Sequence, residues 1–329
     1  MVALSRAAAA LSLLALVAIG GCSGGRVVTN RTDDSADAGA TTAETNPTIQ
    51  APATTRTRTS GPLSFSTTMR TFTDSTRGTV ARPPVAATPT RVLRTTVRVP
   101  DSAGPWPLVV FGHGYRVSAA TYATMLDGIA EAGFVVAAPE FPGSSSILPG
   151  RPDERDLQDE PCDLRFVAGQ VQASADDAAS VLAGKVAAGA VGLAGQSDGA
   201  TAAAYGALAS TCAGPSIGAV VAFSAQPSPI RTGLDPADYP ALLAVTGSVD
   251  EVNPPARTRA LFDQFSQRAW LLTVAGEGHL TPSTDSPHLP TIIAVTVDVL
   301  RGALAGDTAA NGQISIDAAR PGLSLESHP

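Results

Sequence analysis

Three kinds of hydrophobic patterning follow one another along the chain, and each predicts a different structure. From Ala7 to Ile19 the residues are almost continuously apolar. From Ser23 to about Gly61, Thr, Ala, Ser, Asp and Arg dominate with no apolar period of two or 3.6 residues. Such a stretch buries too little surface to offset its ordering entropy, so residues 23–62 are expected to form a flexible spacer. Beyond it, alternation over Ser64–Phe72 and Arg91–Pro100 predicts two half-exposed antiparallel strands. The pattern then changes to short continuous apolar runs, the mark of strands buried on both faces: Leu108–Phe111, Gly133–Pro139, Ala190–Ala194, Gly218–Phe223, Tyr239–Gly247 and Trp270–Ala275. Between them, helices are predicted over Ser118–Ala132, Asp163–Gly184, Ala200–Ala209 and Pro255–Gln267, with a last one over Thr291–Leu304. Strands alternating with helices at this spacing predict an α/β fold: a mostly parallel central sheet, helices on both faces, spanning residues 63–306. The segment 307–329 is weakly patterned and is expected to be a C-terminal tail.

The leader changes the picture at the N-terminus. Arg6 precedes the run Ala7–Ile19, which is short for a membrane span and suited to a signal-peptide core. Ile19-Gly20-Gly21-Cys22 follows and resembles a bacterial lipobox, in which the cysteine takes a diacylglyceryl group and becomes the mature N-terminus. Residues 1–22 are therefore expected to be a lipoprotein signal, and the mature protein to be extracytoplasmic and membrane-anchored at Cys22. The alternative is an ordinary cleaved signal with an incidental cysteine. Hydrophobic residues make up 44% of the chain and charged ones 16%, enough for a substantial core. A net charge of −7 gives no reason to expect nucleic acid as partner. Cys162 and Cys212 are an even number of cysteines for an oxidising compartment, which favours a disulfide. Their predicted places, near the start of one helix and past the end of another at opposite sheet edges, weigh against it, and the sequence leaves the bridge open.

Parallel sheets of this kind collect ligands at the carboxyl ends of their strands, so reactive residues belong in the loops after each buried run. Gly195-Gln196-Ser197-Asp198-Gly199 lies between the strand ending at Ala194 and the helix beginning at Ala200. A Gly-x-Ser-x-Gly turn in that setting holds a serine exposed on a cramped backbone, although the pentapeptide alone arises by chance in a Gly- and Ser-rich chain. A nucleophilic serine needs a base and a carboxylate to orient that base. Asp250 follows the strand ending at Gly247, and His279 follows the strand ending at Ala275, in the order Ser, Asp, His. Glu251 competes with Asp250, while His288 and His328 compete with His279. The developing oxyanion needs two N–H donors. One is that of Asp198; the other is that of Tyr115 in Gly112-His113-Gly114-Tyr115, with Gly114 as the alternative. The Tyr115 ring is expected to line the acyl pocket, unless it is a surface aromatic in a turn. His113 is expected to be loop packing and not a base, and Phe141–Pro161 to be the substrate-facing loop.

His113-Gly114-Tyr115, Asp163-Leu164-Arg165-Phe166-Val167, the elbow, Gly247-Ser248-Val249-Asp250 and Gly278-His279 together resemble the α/β-hydrolase superfamily over Pro107 to about Leu304. Within it the chain resembles secreted bacterial serine esterases related to dienelactone hydrolases, platelet-activating-factor acetylhydrolases and cutinase-like polyester hydrolases. It departs from them in carrying Gln196 and Asp198 where polyester hydrolases have an aromatic or His and then Met, and a serine where dienelactone hydrolases have cysteine. The resemblance implies an α/β-hydrolase fold and a serine carboxylic-ester hydrolase acting through Ser197, Asp250 and His279, with no cofactor or metal. A small-molecule, lipid or polymer ester is the expected substrate, and a monomer the expected state. An acyltransferase using the same triad and a non-catalytic binding lipoprotein are the alternatives.

Overall fold

The apolar runs become strands of a single sheet in the computed structural model, which describes residues 61–208, 211–226, 234–235 and 238–328. The signal segment, Cys22 and the spacer up to residue 60 lie outside the described residues. β1 (Phe65–Asp74) and β2 (Arg91–Pro100) pair antiparallel along their full lengths, Phe65 opposite Pro100 and Asp74 opposite Arg91. β3 (Trp106–Gly112), β4 (Val135–Glu140), β5 (Val186–Gln196), β6 (Ala219–Phe223), β7 (Ala241–Gly247) and β8 (Ala269–Val274) run parallel. β9 (Leu323–His328) closes the far edge antiparallel to β8. The spatial order is β1-β2-β4-β3-β5-β6-β7-β8-β9.

Strand pleating sorts each parallel run onto two cores. Leu108 and Val110 of β3, Val191 and Leu193 of β5, and Leu242 and Ala244 of β7 point to one face. There they meet α2 (Glu160–Asp176), α3 (Asp198–Leu208) and α4 (Pro255–Phe262) through Leu164, Val167, Val171, Ala203 and Leu261. Val109, Phe111, Ala194, Leu243 and Val245 point to the other face. These pack on α1 (Ala123–Glu131), α5 (Leu289–Ala305) and α6 (Thr308–Ala318) through Leu126, Ile129, Ile292, Val295 and Ile314. The architecture is the α/β-hydrolase fold.

Several expectations are corrected. The helix anticipated over 163–184 begins at Glu160 and ends at Asp176, and Val186–Gly189 join β5. The helix from Ser118 starts as a 3-10 turn, Ala119–Tyr122, before α1. That anticipated over 255–267 stops at Phe262. The segment after Gly306 is not an unpatterned tail. Gly306 terminates α5 with φ 66°, and Asp307 caps α6 by accepting from the N–H groups of Ala309 and Ala310. β9 then completes the sheet. Cys162 and Cys212 do form a disulfide, with Cα atoms 4.9 Å apart. The reason is crossover handedness. The β4–β5 and β5–β6 connections advance in the same direction along the sheet, so right-handed crossovers put α2 and α3 side by side on one face. The start of α2 then meets the end of α3.

Candidate active site

β5 ends at Gln196 and α3 begins at Asp198, which leaves Ser197 alone to turn the chain. It does so at φ 57°, a left-handed conformation costly for a residue with a Cβ. The backbone is pinned on both sides: Ser197 N–H donates to Phe223 O at 2.8 Å, and Ser197 O accepts from Thr201 N at 3.0 Å. A methyl group on Gly195 would collide with the backbone of Gly199, and one on Gly199 with that of Gly112, so both glycines are required by contact.

The loops after β7 and β8 bring Asp250 and His279 together. The Nδ1–H of His279 donates to Asp250 Oδ2 at 2.8 Å, while Oδ1 accepts from the N–H groups of Val252 and Asn253 at 2.9 and 2.8 Å. Asp250 is buried, and both its oxygens are occupied, so it has one orientation. Its bond to Nδ1 leaves Nε2 as the basic nitrogen of His279. The two loops are stitched to each other by Val249 N–H donating to Glu277 O at 3.0 Å, and a methyl group on Gly247 would strike the carbonyls of Glu277 and Gly278. Ser197 Oγ makes no hydrogen bond to the imidazole in this conformation. What ties the histidine to the elbow is its carbonyl, which accepts from Gln196 Nε2 and from Ser224 Oγ, each at 3.0 Å.

Gln196 continues this link toward the β3 loop. Its Oε1 accepts from Tyr122 Oη at 2.9 Å, and Tyr122 Oη in turn accepts from Gly114 N–H at 3.2 Å. The Gly114 donor is therefore committed inward. A methyl group at Gly114 would come within 2.8 Å of Gln196 Oε1 and 3.2 Å of Ser197 Cβ, which explains the glycine. His113 is fully buried. Phe141 N–H donates to its Nε2 at 3.0 Å, so that nitrogen carries the lone pair, and Nδ1–H donates to Gly114 O at 2.8 Å. Burial holds the imidazole below the ordinary histidine pKa, against the opposing pull of Glu140. Neutral His113 thus fixes the Gly114–Tyr115 peptide plane by its carbonyl, with the Tyr115 N–H on the opposite edge of that plane.

The segment after β4 packs against this loop. Arg116 N–H donates to Ser144 O, Ser146 N–H to Val117 O, and Tyr115 Oη to Pro152 O at 3.0 Å. Phe141–Ser145 are buried, so only the later part of the anticipated 141–161 loop reaches solvent. Two arginines hold it. Arg82 donates to the carbonyls of Pro142, Ser145 and Gly150, and fully buried Arg91 pairs with Asp163 and Asp156, whose Oδ2 also takes Gly143 N–H.

Two acids near the elbow have shifted affinities. Burial raises the Asp198 carboxyl to about 6, Glu154 adds to the rise, and His279 opposes it. Burial likewise raises Glu160 well above the ordinary value, against a hydrogen bond from Ser144 Oγ and with Asp156, Asp198 and Asp163 reinforcing it. The competing candidates lie elsewhere. Glu251 is exposed, His288 precedes α5 as its cap residue, and His328 sits on β9 bonded to Phe265 O. The parts played by Gln196, Ser224 and Tyr122 were not foreseen, whereas His113 packs the loop as expected. Only Gln196 carried a local signal, its place inside the pentapeptide.

Residues 71–236, half of the chain, match the chlorophyllase family. The chain belongs to that family. Chlorophyllases are an ester-hydrolysing family of the α/β-hydrolase type, so this chlorophyllase-family chain is assigned to ester hydrolysis. The matched span contains the Tyr115 loop and the Ser197 elbow and ends before Asp250 and His279, whose pairing rests on the geometry. It supports the superfamily expected from the motifs and leaves open the finer grouping with dienelactone, acetyl- and polyester hydrolases. No curated protein matches the chain.

Proposed function

We propose that the protein is a serine carboxylic-ester hydrolase that works through an acyl-enzyme on Ser197. The observation that carries this is the Asp250–His279 pair, closed at 2.8 Å, whose histidine backbone is hydrogen-bonded to the residue preceding the strained Ser197. Ser197 Oγ attacks the ester carbonyl carbon while His279 Nε2 takes its proton, and Asp250 stabilises the imidazolium. The carbonyl electron pair moves onto oxygen and is held by the N–H groups of Tyr115 and Asp198. The committed Gly114 donor favours Tyr115 for this role, and the α3 N-terminus favours Asp198. Collapse expels the alcohol, protonated by His279, and leaves the acyl group on Ser197. Water, deprotonated by His279, then releases the carboxylic acid and restores the serine. No metal or cofactor enters these steps.

A fluorophosphonate probe tests the mechanism on the purified chain. Wild type is expected to be labelled and to hydrolyse short 4-nitrophenyl esters, and Ser197→Ala to do neither. Absence of wild-type labelling, or equal labelling of Ser197→Ala, would sink it.

We further propose that the enzyme acts outside the membrane, anchored through lipidated Cys22. The lipobox-like sequence supports this, as does the Cys162–Cys212 bridge, since disulfides persist in oxidising compartments. Wild type should partition into the detergent phase and Cys22→Ser into the aqueous phase; equal partitioning refutes the anchor.

A further inference from the structure

Asp198 does more than contribute a backbone N–H. It directly follows Ser197, its side chain is part-buried at the head of α3, and its Oδ2 is shut off from solvent with no hydrogen-bond partner among the described residues. An acid so placed ordinarily recruits an arginine or lysine, and among the described residues no ion pair to Asp198 forms. Arg91 and Arg77 are spent on Asp163, Asp156 and Asp74, and Arg82 on backbone carbonyls. Besides His279, the charged groups that act on Asp198 are acids. Glu154, exposed on the 3-10 helix Glu154–Gln158, raises its proton affinity. Glu160, only 1% exposed, lies within its field and has an Oε2 that is likewise without a partner. Among the described residues the negative charge beside the candidate nucleophile is therefore opposed by His279 alone.

We propose that Asp198, reinforced by Glu154, is the specificity-determining group of the site, and that the preferred esters carry a fixed positive charge such as a quaternary ammonium, while anionic esters are rejected. This rests on the proposed function, since it assigns the substrate class of the same site. A compensating cation on the substrate would supply the partner that Asp198 lacks among the described residues. Two unit charges several ångströms apart at a partly exposed site attract strongly enough to shift kcat/KM by roughly tenfold. The effect belongs to the charge and not to the ester chemistry, so it appears as a ratio between isosteric substrates.

The test uses full-length protein in detergent, with active sites counted by fluorophosphonate labelling. On the acyl side the 4-nitrophenyl esters of 5,5-dimethylhexanoate, hemiglutarate and 4-(trimethylammonio)butanoate are compared. On the alcohol side butyrylcholine is compared with its neutral isostere 3,3-dimethylbutyl butyrate. In at least one series kcat/KM is expected to favour the cation over the neutral ester by roughly tenfold, with the acyl-side anion disfavoured. Asp198→Asn should bring the ratio to about one, and Glu154→Gln should lower it. A wild-type ratio of one or less in both series overturns the assignment, as does a preference that survives Asp198→Asn. Should Asp198→Asn fail to fold, salt decides on the wild type, because an electrostatic preference shrinks as ionic strength rises. A preference indifferent to salt overturns the proposal. Loss of wild-type labelling overturns the serine mechanism itself, a different outcome from labelled enzyme without charge preference.

Discussion

Reducing the Cys162–Cys212 bridge should lower the melting temperature sharply while leaving the native site intact. The bridge spans 50 residues of sequence and joins the first turn of α2 to the segment just past α3. In the folded protein these helices already pack on the same sheet face, so the bond adds little to native contacts. Its main effect is on the unfolded chain, where closing a loop of that length removes conformational entropy worth about 4 kcal/mol at 25 °C. For a domain of this size each kcal/mol moves the midpoint by about 2–4 °C, so the full effect corresponds to about 8–16 °C. Differential scanning calorimetry with and without reductant, and on the Cys162→Ala/Cys212→Ala double variant, reads it directly. Ester turnover at room temperature should persist in the reduced protein, because the bridge touches neither the elbow nor the Asp250–His279 pair. A midpoint that moves by less than about 2 °C in both comparisons refutes the reasoning, and would mean that the unfolded ensemble is already compact between these residues.

Asp250→Asn should keep the fold and lower kcat by about 10³–10⁴, since the amide no longer accepts the Nδ1 proton and the histidine is offered in the wrong tautomer; steady-state kinetics beside a thermal melt separates the two effects. Gln196→Met breaks the link from Tyr122 to the His279 carbonyl and strands buried polar groups, at a cost of about 1–3 kcal/mol in urea unfolding together with a fall in kcat; unchanged values in both would deny it a positioning role. Arg91→Met leaves Asp163 and Asp156 buried without their common cation, which should cost about 3–5 kcal/mol by the same unfolding assay. The cation-to-neutral ratio should fall as pH drops through about 6, because burial has raised the Asp198 carboxyl to that value and it is anionic above and protonated below. The charged groups facing it are Glu154, Glu160 and His279. His279 serves both esters alike and cancels from the ratio, so a flat ratio across this range speaks against Asp198 as the responsible group.

Much of the scaffold is written locally. Each buried strand is a short apolar run, because a strand covered on both faces has no polar side to alternate with, as Leu108–Phe111 and Leu242–Val245 illustrate. The elbow is local as well, since the constraint on Gly195 and Gly199 acts within five residues. That Asp250 and His279 would meet was legible because the fold class dictates where loops must converge, so a residue type just after a strand end is informative without coordinates.

Other features depended on which distant segments meet. Leu323 and Leu325 are too few to announce a strand, and β9 exists because the open edge of β8 offers hydrogen bonds to it. The disulfide depended on the face to which each helix crosses over, which follows from strand order and handedness rather than from the helices' own residues. Gln196 reads as a variable position until Tyr122 and the His279 carbonyl stand on either side of it. Asp198 was read only for its N–H, because the charge of a side chain is local while the water and counter-ions denied to it are set by everything folded around it. Sequence alone determined the parallel strands of the sheet, the elbow and the order of the candidate residues, all of which depend on short-range sterics and periodic burial. Tertiary structure decided the edge strand, the bridge, the positioning network and the electrostatics of the site, because these are properties of contacts between residues far apart in the chain.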